Sequence, residues 1–80
     1  MVIEFDVELA KLALAAGTGK IVTRDGRDVI IKYWNHGLIH YPLLGYINNK
    51  ENDPHSWTEG GRYVTPGIDS SLDLFIKELV

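Results

Sequence analysis

The first stretch of the chain has the hydrophobic period of an α-helix. Four apolar residues stand at the spacings i, i+3, i+4 and i+7, which place them along one side of a helix. They are Leu9, Leu12, Ala13 and Ala16. Asp6 is a suitable N-terminal cap, and Gly17 is a suitable C-terminal stop. The pattern therefore predicts a helix over residues 7–16 that packs on the domain through this apolar stripe.

Beyond the helix the hydrophobic period changes to that of a β-strand. Residues 20–24 and 27–35 alternate between apolar and polar side chains, and Asp25-Gly26 between them is a strong signal for a tight hairpin turn. The turn would place Arg24 and Arg27 close to each other at the two strand ends. Two like charges side by side repel each other weakly, and an anion between them would relieve that repulsion.

The middle of the chain predicts a third strand and a second hairpin. Residues 41–47 have the composition of a strand, with Pro42 at its start. The segments 55–59 and 62–64 flank Gly60-Gly61, which predicts a second compact hairpin.

The C-terminal segment fits two patterns. Leu72, Leu74 and Ile76 alternate as in a strand, while Phe75 and Leu79 complete a helical spacing with Leu72 and Ile76. We favour a closing strand over residues 72–76. The sum is a single α+β domain over residues 1–80, with the N-terminal helix packed on a four- to five-stranded antiparallel β-meander.

The composition narrows the classes of function. The chain has 80 residues and no cysteine, which excludes a disulfide scaffold, thiol catalysis and thiolate zinc sites. It has no apolar run long enough to cross a membrane, so we expect a cytoplasmic protein, in the host cytoplasm if it is phage-encoded. The formal net charge of −3 argues against general nucleic-acid binding.

The residues that could support catalysis or metal binding lack the necessary spacing. His36 and His40 are separated by Gly37, which favours extended chain over a helical ligand face, and His55 is distant from both. Serines are present without a nucleophile-elbow pattern. A His55 and Glu59 pair is the sole remaining acid–base combination that we weigh, and nothing in the pattern favours it. We therefore expect no enzyme, no metal and no cofactor.

The strongest chemical signal combines arginines with aromatic residues at the two predicted hairpins. The candidate ligand-binding residues are Arg24, Arg27, Trp57, Arg62 and Tyr63. Arginine side chains grip phosphates through paired hydrogen bonds, and aromatic rings stack on bases. Two alternatives stay open: the aromatic residues can belong to the core, and the arginines can be solvated surface residues.

Four segments resemble short, uncharacterised proteins of phages and mobile elements in gut bacteria. They are residues 23–27, 41–47, 57–63 and 72–75. The N-terminal half also resembles phage sponge proteins that counter Thoeris immunity, through Phe5, the Ala/Leu helix and the segment Lys20–Gly26. Sponge proteins typically have tryptophan after that glycine, where this chain has Arg27.

The second resemblance implies that the chain sequesters a cyclic nucleotide-type signal between subunits without chemical change. From the residues and this resemblance together, we expect a non-enzymatic homo-oligomer that binds a nucleotide-like small molecule. The alternative is a protein-interaction module that inhibits a host protein and uses exposed aromatic residues as anchors.

Overall fold

The computed structural model describes residues 2–35, 37, 39–64 and 68–79, which form one helix and a six-stranded antiparallel sheet. The helix α1 spans Val7–Ala16. The strands are β1 (Val2–Glu4), β2 (Gly19–Thr23), β3 (Asp28–Tyr33), β4 (Leu43–Ile47), β5 (His55–Trp57) and β6 (Leu74–Glu78). The predicted α+β class is confirmed, but the sheet has more strands than the predicted four or five.

The sheet order explains the additional strand. The strands lie in the order β1-β6-β2-β3-β4-β5, so β2 to β5 form the predicted meander and β6 returns to pair with β2. β1 then pairs with the outer side of β6, and Ile3, Ile76 and Ile21 form one row across the three strands. The three residues of β1 were too few to show an alternating pattern in the sequence. Their strand conformation depends on β6, which is distant along the chain.

The C-terminal segment is a strand, and it begins later than the sequence pattern predicted. Residues 70–73 form a turn in which the Asp73 amide donates to the Ser70 carbonyl at 3.1 Å. The Asp73 carboxylate in turn accepts a hydrogen bond from the Ser70 amide at 3.0 Å. This turn holds Leu72 outside the sheet, so the strand starts at Leu74.

The helix packs on the sheet through small side chains. Ala10 is fully buried and Ala13 is half-buried, whereas the other members of the predicted apolar stripe, Leu9, Leu12 and Ala16, are exposed. The helix comes so close to the sheet that a Cβ atom at Gly19 would lie 3.1 Å from the Ala13 Cβ. Alanine fits this narrow separation and leucine does not, so the predicted packing face was wrong for the leucines.

The caps of α1 agree with the sequence pattern. The Asp6 carboxylate accepts a hydrogen bond from the Leu9 amide at 3.0 Å. Gly17 ends the helix in the left-handed conformation, with φ of 72°.

The hydrophobic core lies between α1 and the sheet. Its largest side chain is Trp57, which is fully buried and donates from Nε1 to the Leu72 carbonyl at 2.7 Å. Within the described part of the chain, no helix has the length and apolarity needed to cross a membrane.

Two turns share one sequence pattern and one hydrogen-bonding pattern. Thr23–Arg27 and Thr58–Arg62 both have the sequence Thr-x-x-Gly-Arg. In each, the threonine amide donates to the arginine carbonyl, at 2.8 and 2.9 Å, and the glycine amide donates to the threonine carbonyl, at 2.9 and 2.8 Å. Each threonine hydroxyl also accepts a hydrogen bond from the arginine amide, at 3.0 Å in both turns. Glycine is needed because φ is 91° at Gly26 and 80° at Gly61.

The two turns lead to different structures. The first joins β2 to β3, which confirms the predicted hairpin. After the second turn, residues 62–64 are not in a strand, so the predicted second β-hairpin was wrong. The Gly61 carbonyl instead accepts a hydrogen bond from the Leu74 amide at 2.7 Å, which ties this turn to the start of β6.

Candidate functional site

The two turns bring Arg24 and Arg62 together around two carboxylates. Arg24 Nη2 lies 3.2 Å from Asp73 Oδ2, and Arg62 Nε lies 3.6 Å from the same atom. Both guanidinium groups also approach Asp69 Oδ1, at 3.5 Å from Arg24 Nη2 and 2.8 Å from Arg62 Nη2. We call these four residues the arginine–aspartate cluster.

Asp73 is the buried anchor of the arginine–aspartate cluster. Its side chain is 1% exposed, and its carboxylate accepts hydrogen bonds from the amides of Tyr63 at 2.9 Å and Ser70 at 3.0 Å. Burial favours the neutral acid, but these hydrogen bonds, that from Arg24 and the charge of Arg62 outweigh it and lower the pKa of Asp73 below 3.8. Asp73 is therefore ionised at neutral pH and holds both guanidinium groups in place.

Asp69 differs from Asp73 because it faces solvent. Its side chain is 72% exposed, yet one of its oxygens lies at the point where the two guanidinium groups converge. A groove of about 340 Å³ opens at this point, between Phe5 and Phe75. The Arg24 guanidinium lies 4.9 Å from the centre of the Phe75 ring. The groove is thus lined by two cations, by aromatic surface and by three carboxylates, which are those of Glu4, Asp69 and Asp73.

A second groove of about 690 Å³ borders Arg62 on its other side. It lies between residues 39–41 and the Thr58–Arg62 turn, and its lining is mainly apolar, with Tyr41 as its aromatic residue. Arg62 therefore lies between two grooves, and one ligand could contact its guanidinium group from either.

Arg27 lies apart from the arginine–aspartate cluster. Its Nη2 atom is 2.9 Å from Asp25 Oδ2 within the same turn. Hydrogen bonds from Arg27 and from the Thr23 hydroxyl lower the pKa of Asp25 below its ordinary value. The expected anion between Arg24 and Arg27 is not supported by this geometry, because each arginine is directed to a different carboxylate.

The two predicted aromatic residues belong to the packed interior rather than to an open surface. Trp57 is fully buried, so its indole presents no face on which a ligand could stack. Tyr63 is half-buried, with its ring centre 6.2 Å from that of Trp57 and its hydroxyl 3.1 Å from His55 Nδ1. The sequence left open that these aromatic residues belong to the core, and the structure places them there. Tyr63 follows a turn, however, and is not in a strand paired with that of Trp57.

The sequence pattern did not reveal the carboxylates that organise the site. Neither Asp69 nor Asp73 was among the candidate residues, and Asp73 lies 49 positions from Arg24. The spacing Ser-Ser-Leu-Asp before β6 was the available signal, because in a capping box the last side chain accepts a hydrogen bond from the amide three residues earlier.

The metal and acid–base combinations receive no geometric support. Among the described residues, no group of three or more metal-ligand side chains is close enough to hold an ion, and His36 lies outside the described residues. His55 lies between the Tyr63 hydroxyl and Asp53, with its Nε2 atom 3.6 Å from Asp53 Oδ2. Glu59 is exposed and lines the groove of about 690 Å³.

Comparisons with protein-family profiles, with curated proteins and with solved structures give no significant match. The geometry of the chain itself therefore carries the functional argument.

Proposed function

We propose that this protein binds a nucleotide-like anionic small molecule without changing it chemically, as sponge proteins do with cyclic nucleotide-type signals. One observation carries the proposal. Arg24 and Arg62, held by the buried Asp73, converge on a single oxygen of the solvent-exposed Asp69.

A ligand phosphate can take the place of the Asp69 carboxylate. Exposed ion pairs contribute only about 0–1 kcal/mol, so their exchange for another anion costs little. A phosphate offers more acceptor oxygens than a single carboxylate oxygen does, and it can engage both guanidinium groups at once. Asp73 would remain in place beneath them, which keeps the two cations arranged before the ligand binds.

The groove supplies surface for the remainder of a nucleotide. Phe5 and Phe75 line the groove of about 340 Å³, and Tyr41 lines the neighbouring groove of about 690 Å³ on the far side of Arg62. Both volumes fall within the range of small-molecule sites, about 300–1,000 Å³.

The arrangement favours binding over catalysis. Ser70 contacts the arginine–aspartate cluster, and its hydroxyl accepts a hydrogen bond from the Leu72 amide at 3.1 Å. Its amide donates to Asp73. Both polar groups of Ser70 thus stabilise the turn before β6. Covalent catalysis requires a nucleophile beside a base, whereas the cluster presents the guanidinium groups of two arginines.

Isothermal titration calorimetry against cyclic dinucleotides and cyclic ADP-ribose isomers tests this function. We expect one ligand class to bind at micromolar protein, and Arg62→Ala to weaken it at least tenfold, because a charge-assisted contact contributes about 1.5–3 kcal/mol. Arg62→Lys keeps the charge and serves as the second variant if the alanine variant unfolds. Arg27→Ala is the matched control, since it removes the same charge outside the cluster. Absence of binding, or equal affinity of wild type and Arg62→Ala, would overturn the proposal.

A second candidate function, a protein-interaction module, is favoured by the exposed side of α1. Leu12 is 66% exposed, and Leu9, three residues earlier and on the same side of this short helix, is also exposed. Apolar side chains grouped on a surface helix are typical of docking sites, for a host protein or for a second copy of this chain. Native mass spectrometry would detect self-association. An affinity pull-down would support this function if wild type recovers one stoichiometric partner protein and Leu12→Gln does not.

A further inference from the structure

The sheet has a second face that α1 does not cover. Register pairing places Ile76, Ile21, Val29 and Ile47 in one row on the α1 side. Because side chains alternate along a strand, the residues next to these point to the opposite side. Exposed residues on that side include Val2, Ile30, Lys32 and Lys77. A bulge between Ile31 and Tyr33 shifts the pairing with β4, so that Tyr33 lies opposite Leu44 and is also exposed on that side. We call this surface the open face.

The open face is more basic than the chain as a whole. It carries Lys20, Lys32 and Lys77, and its exposed carboxylates are those of Glu4 and Asp28. The whole chain, in contrast, has eight basic and eleven acidic side chains. Lys20 Nζ pairs with Asp28 Oδ1 at 2.8 Å. Among the described residues, no salt bridge joins Lys32 or Lys77 to a carboxylate. The Tyr46 hydroxyl, and more weakly the charge of Glu51, raise the pKa of Lys32, so its ammonium group stays charged and meets an anion beside that hydroxyl.

Aromatic rings lie among these cations. Lys32 Nζ is 5.7 Å from the centre of the Tyr33 ring and 5.8 Å from that of Tyr46. Tyr33 is 49% exposed, and Phe75 and Tyr46 are half-buried on the same side of the sheet. Flat rings beside lysine side chains are the chemistry that stacks bases and neutralises phosphates.

The lysines of the open face favour a nucleic acid over a second copy of the chain as the molecule that covers it. A second copy packed face to face would bring the lysines of both sheets within about 10 Å of each other, the usual spacing of stacked sheets. Burial of unpaired ammonium groups is costly. A single-stranded nucleic acid offers what the surface lacks, namely negative charge at regular intervals and exposed bases.

We propose that the open face binds single-stranded nucleic acid, with phosphates at Lys32 and Lys77 and bases stacked on Tyr33 and Tyr46. The net charge of the chain argued against general nucleic-acid binding, but the local distribution of charge determines binding to one face. The open face borders the ligand site proposed above at Phe75, but Arg62 of that site is not in the sheet. Arg62→Ala is therefore expected to leave oligonucleotide affinity unchanged.

Fluorescence anisotropy with labelled single-stranded dT12 at 50 mM salt tests the proposal. The variant Lys32→Gln/Lys77→Gln is compared with Lys11→Gln/Lys50→Gln, which removes the same charge from the helix and from a loop. We expect the first variant to bind at least tenfold more weakly. The plot of log association constant against log salt concentration should become shallower by about 1.4, because two phosphate contacts are lost. The second variant should retain wild-type affinity.

The tyrosine variant Tyr33→Leu tests stacking, because leucine keeps apolar bulk without a flat ring. We expect about fivefold weaker binding to dT12, with thermal denaturation used to verify that every variant is folded. Three outcomes would overturn the proposal. They are the absence of binding at 100 µM protein, equal losses in the two double-lysine variants, and a dimer in native mass spectrometry that Tyr33→Leu dissociates.

Discussion

Arg24 and Asp73 are joined through both their main chains and their side chains. The Arg24 amide donates to the Asp73 carbonyl at 2.7 Å, and Arg24 Nη2 lies 3.2 Å from Asp73 Oδ2. The first contact fixes the first turn beside the start of β6, and the second places one of the two guanidinium groups of the arginine–aspartate cluster. One residue pair therefore links the stability of the fold to the geometry of the proposed ligand site.

The two carboxylates of the cluster are expected to differ sharply in their contribution to stability. Asp73→Asn removes a buried charge that two guanidinium groups and two amides face, and we expect it to lower the free energy of unfolding by about 3 kcal/mol. Asp69→Asn removes an exposed partner and should cost less than about 1 kcal/mol. Urea denaturation of both variants measures the difference. Equal losses would contradict the assignment of Asp73 as the anchor.

The stability of the protein is expected to fall in acid through Asp73. Its pKa is lower in the folded protein than the ordinary 3.8, so its stabilising effect is fully present above that pH. The effect is lost as the pH falls through the folded pKa. Urea denaturation between pH 6 and pH 2 should show a steeper decline for wild type than for Asp73→Asn. Asp25, whose pKa is also lowered, leaves a residual decline in that variant. Parallel curves for the two proteins would argue against this origin.

The glycines of the two equivalent turns offer a matched test of packing. Gly26 and Gly61 both have positive φ, so alanine at either position introduces backbone strain of about 1–2 kcal/mol. A Cβ atom at Gly61 would also lie 2.7 Å from the Phe5 ring, whereas the space around Gly26 is open. We expect Gly61→Ala to be more destabilising than Gly26→Ala by about 1–3 kcal/mol, the usual cost of overpacking. Thermal denaturation of the pair checks the order.

The packing face of α1 can be verified with two substitutions. Ala10 is fully buried against the sheet, so Ala10→Leu is expected to destabilise the fold by about 1–3 kcal/mol. Leu12 points to solvent, and Leu12→Gln should change stability by no more than about 0.5 kcal/mol. Chemical denaturation of each variant measures both values. A large loss in Leu12→Gln would place the leucine stripe in the core, as its spacing alone suggested.

Local sequence patterns predicted the elements of this fold that depend on local interactions. The helix caps at Asp6 and Gly17 and the turn at Asp25-Gly26 were all evident, because each forms within a few residues. The strand β1 and the start of β6 were not predicted correctly. Both depend on pairing between distant parts of the chain, which a hydrophobic pattern does not specify.

The same distinction applies to the candidate site. Arg24 and Arg62 were identified because arginines beside turn glycines stand out in a sequence. The convergence of both on Asp69 and Asp73 arises only when β6 is inserted between β1 and β2. Trp57 and Tyr63 were equally conspicuous, but composition does not distinguish a core aromatic residue from an exposed one.

Calorimetric titration of Asp69→Asn is the most direct test of the proposed ligand site, with the ligand that binds wild type in the panel described above. Asparagine has nearly the same shape as aspartate but lacks the charge that competes for Arg24 and Arg62. If a ligand anion takes the place of this carboxylate, the variant binds more tightly than wild type, by about fivefold for 1 kcal/mol of removed competition. Unchanged or weaker binding by Asp69→Asn would contradict the account.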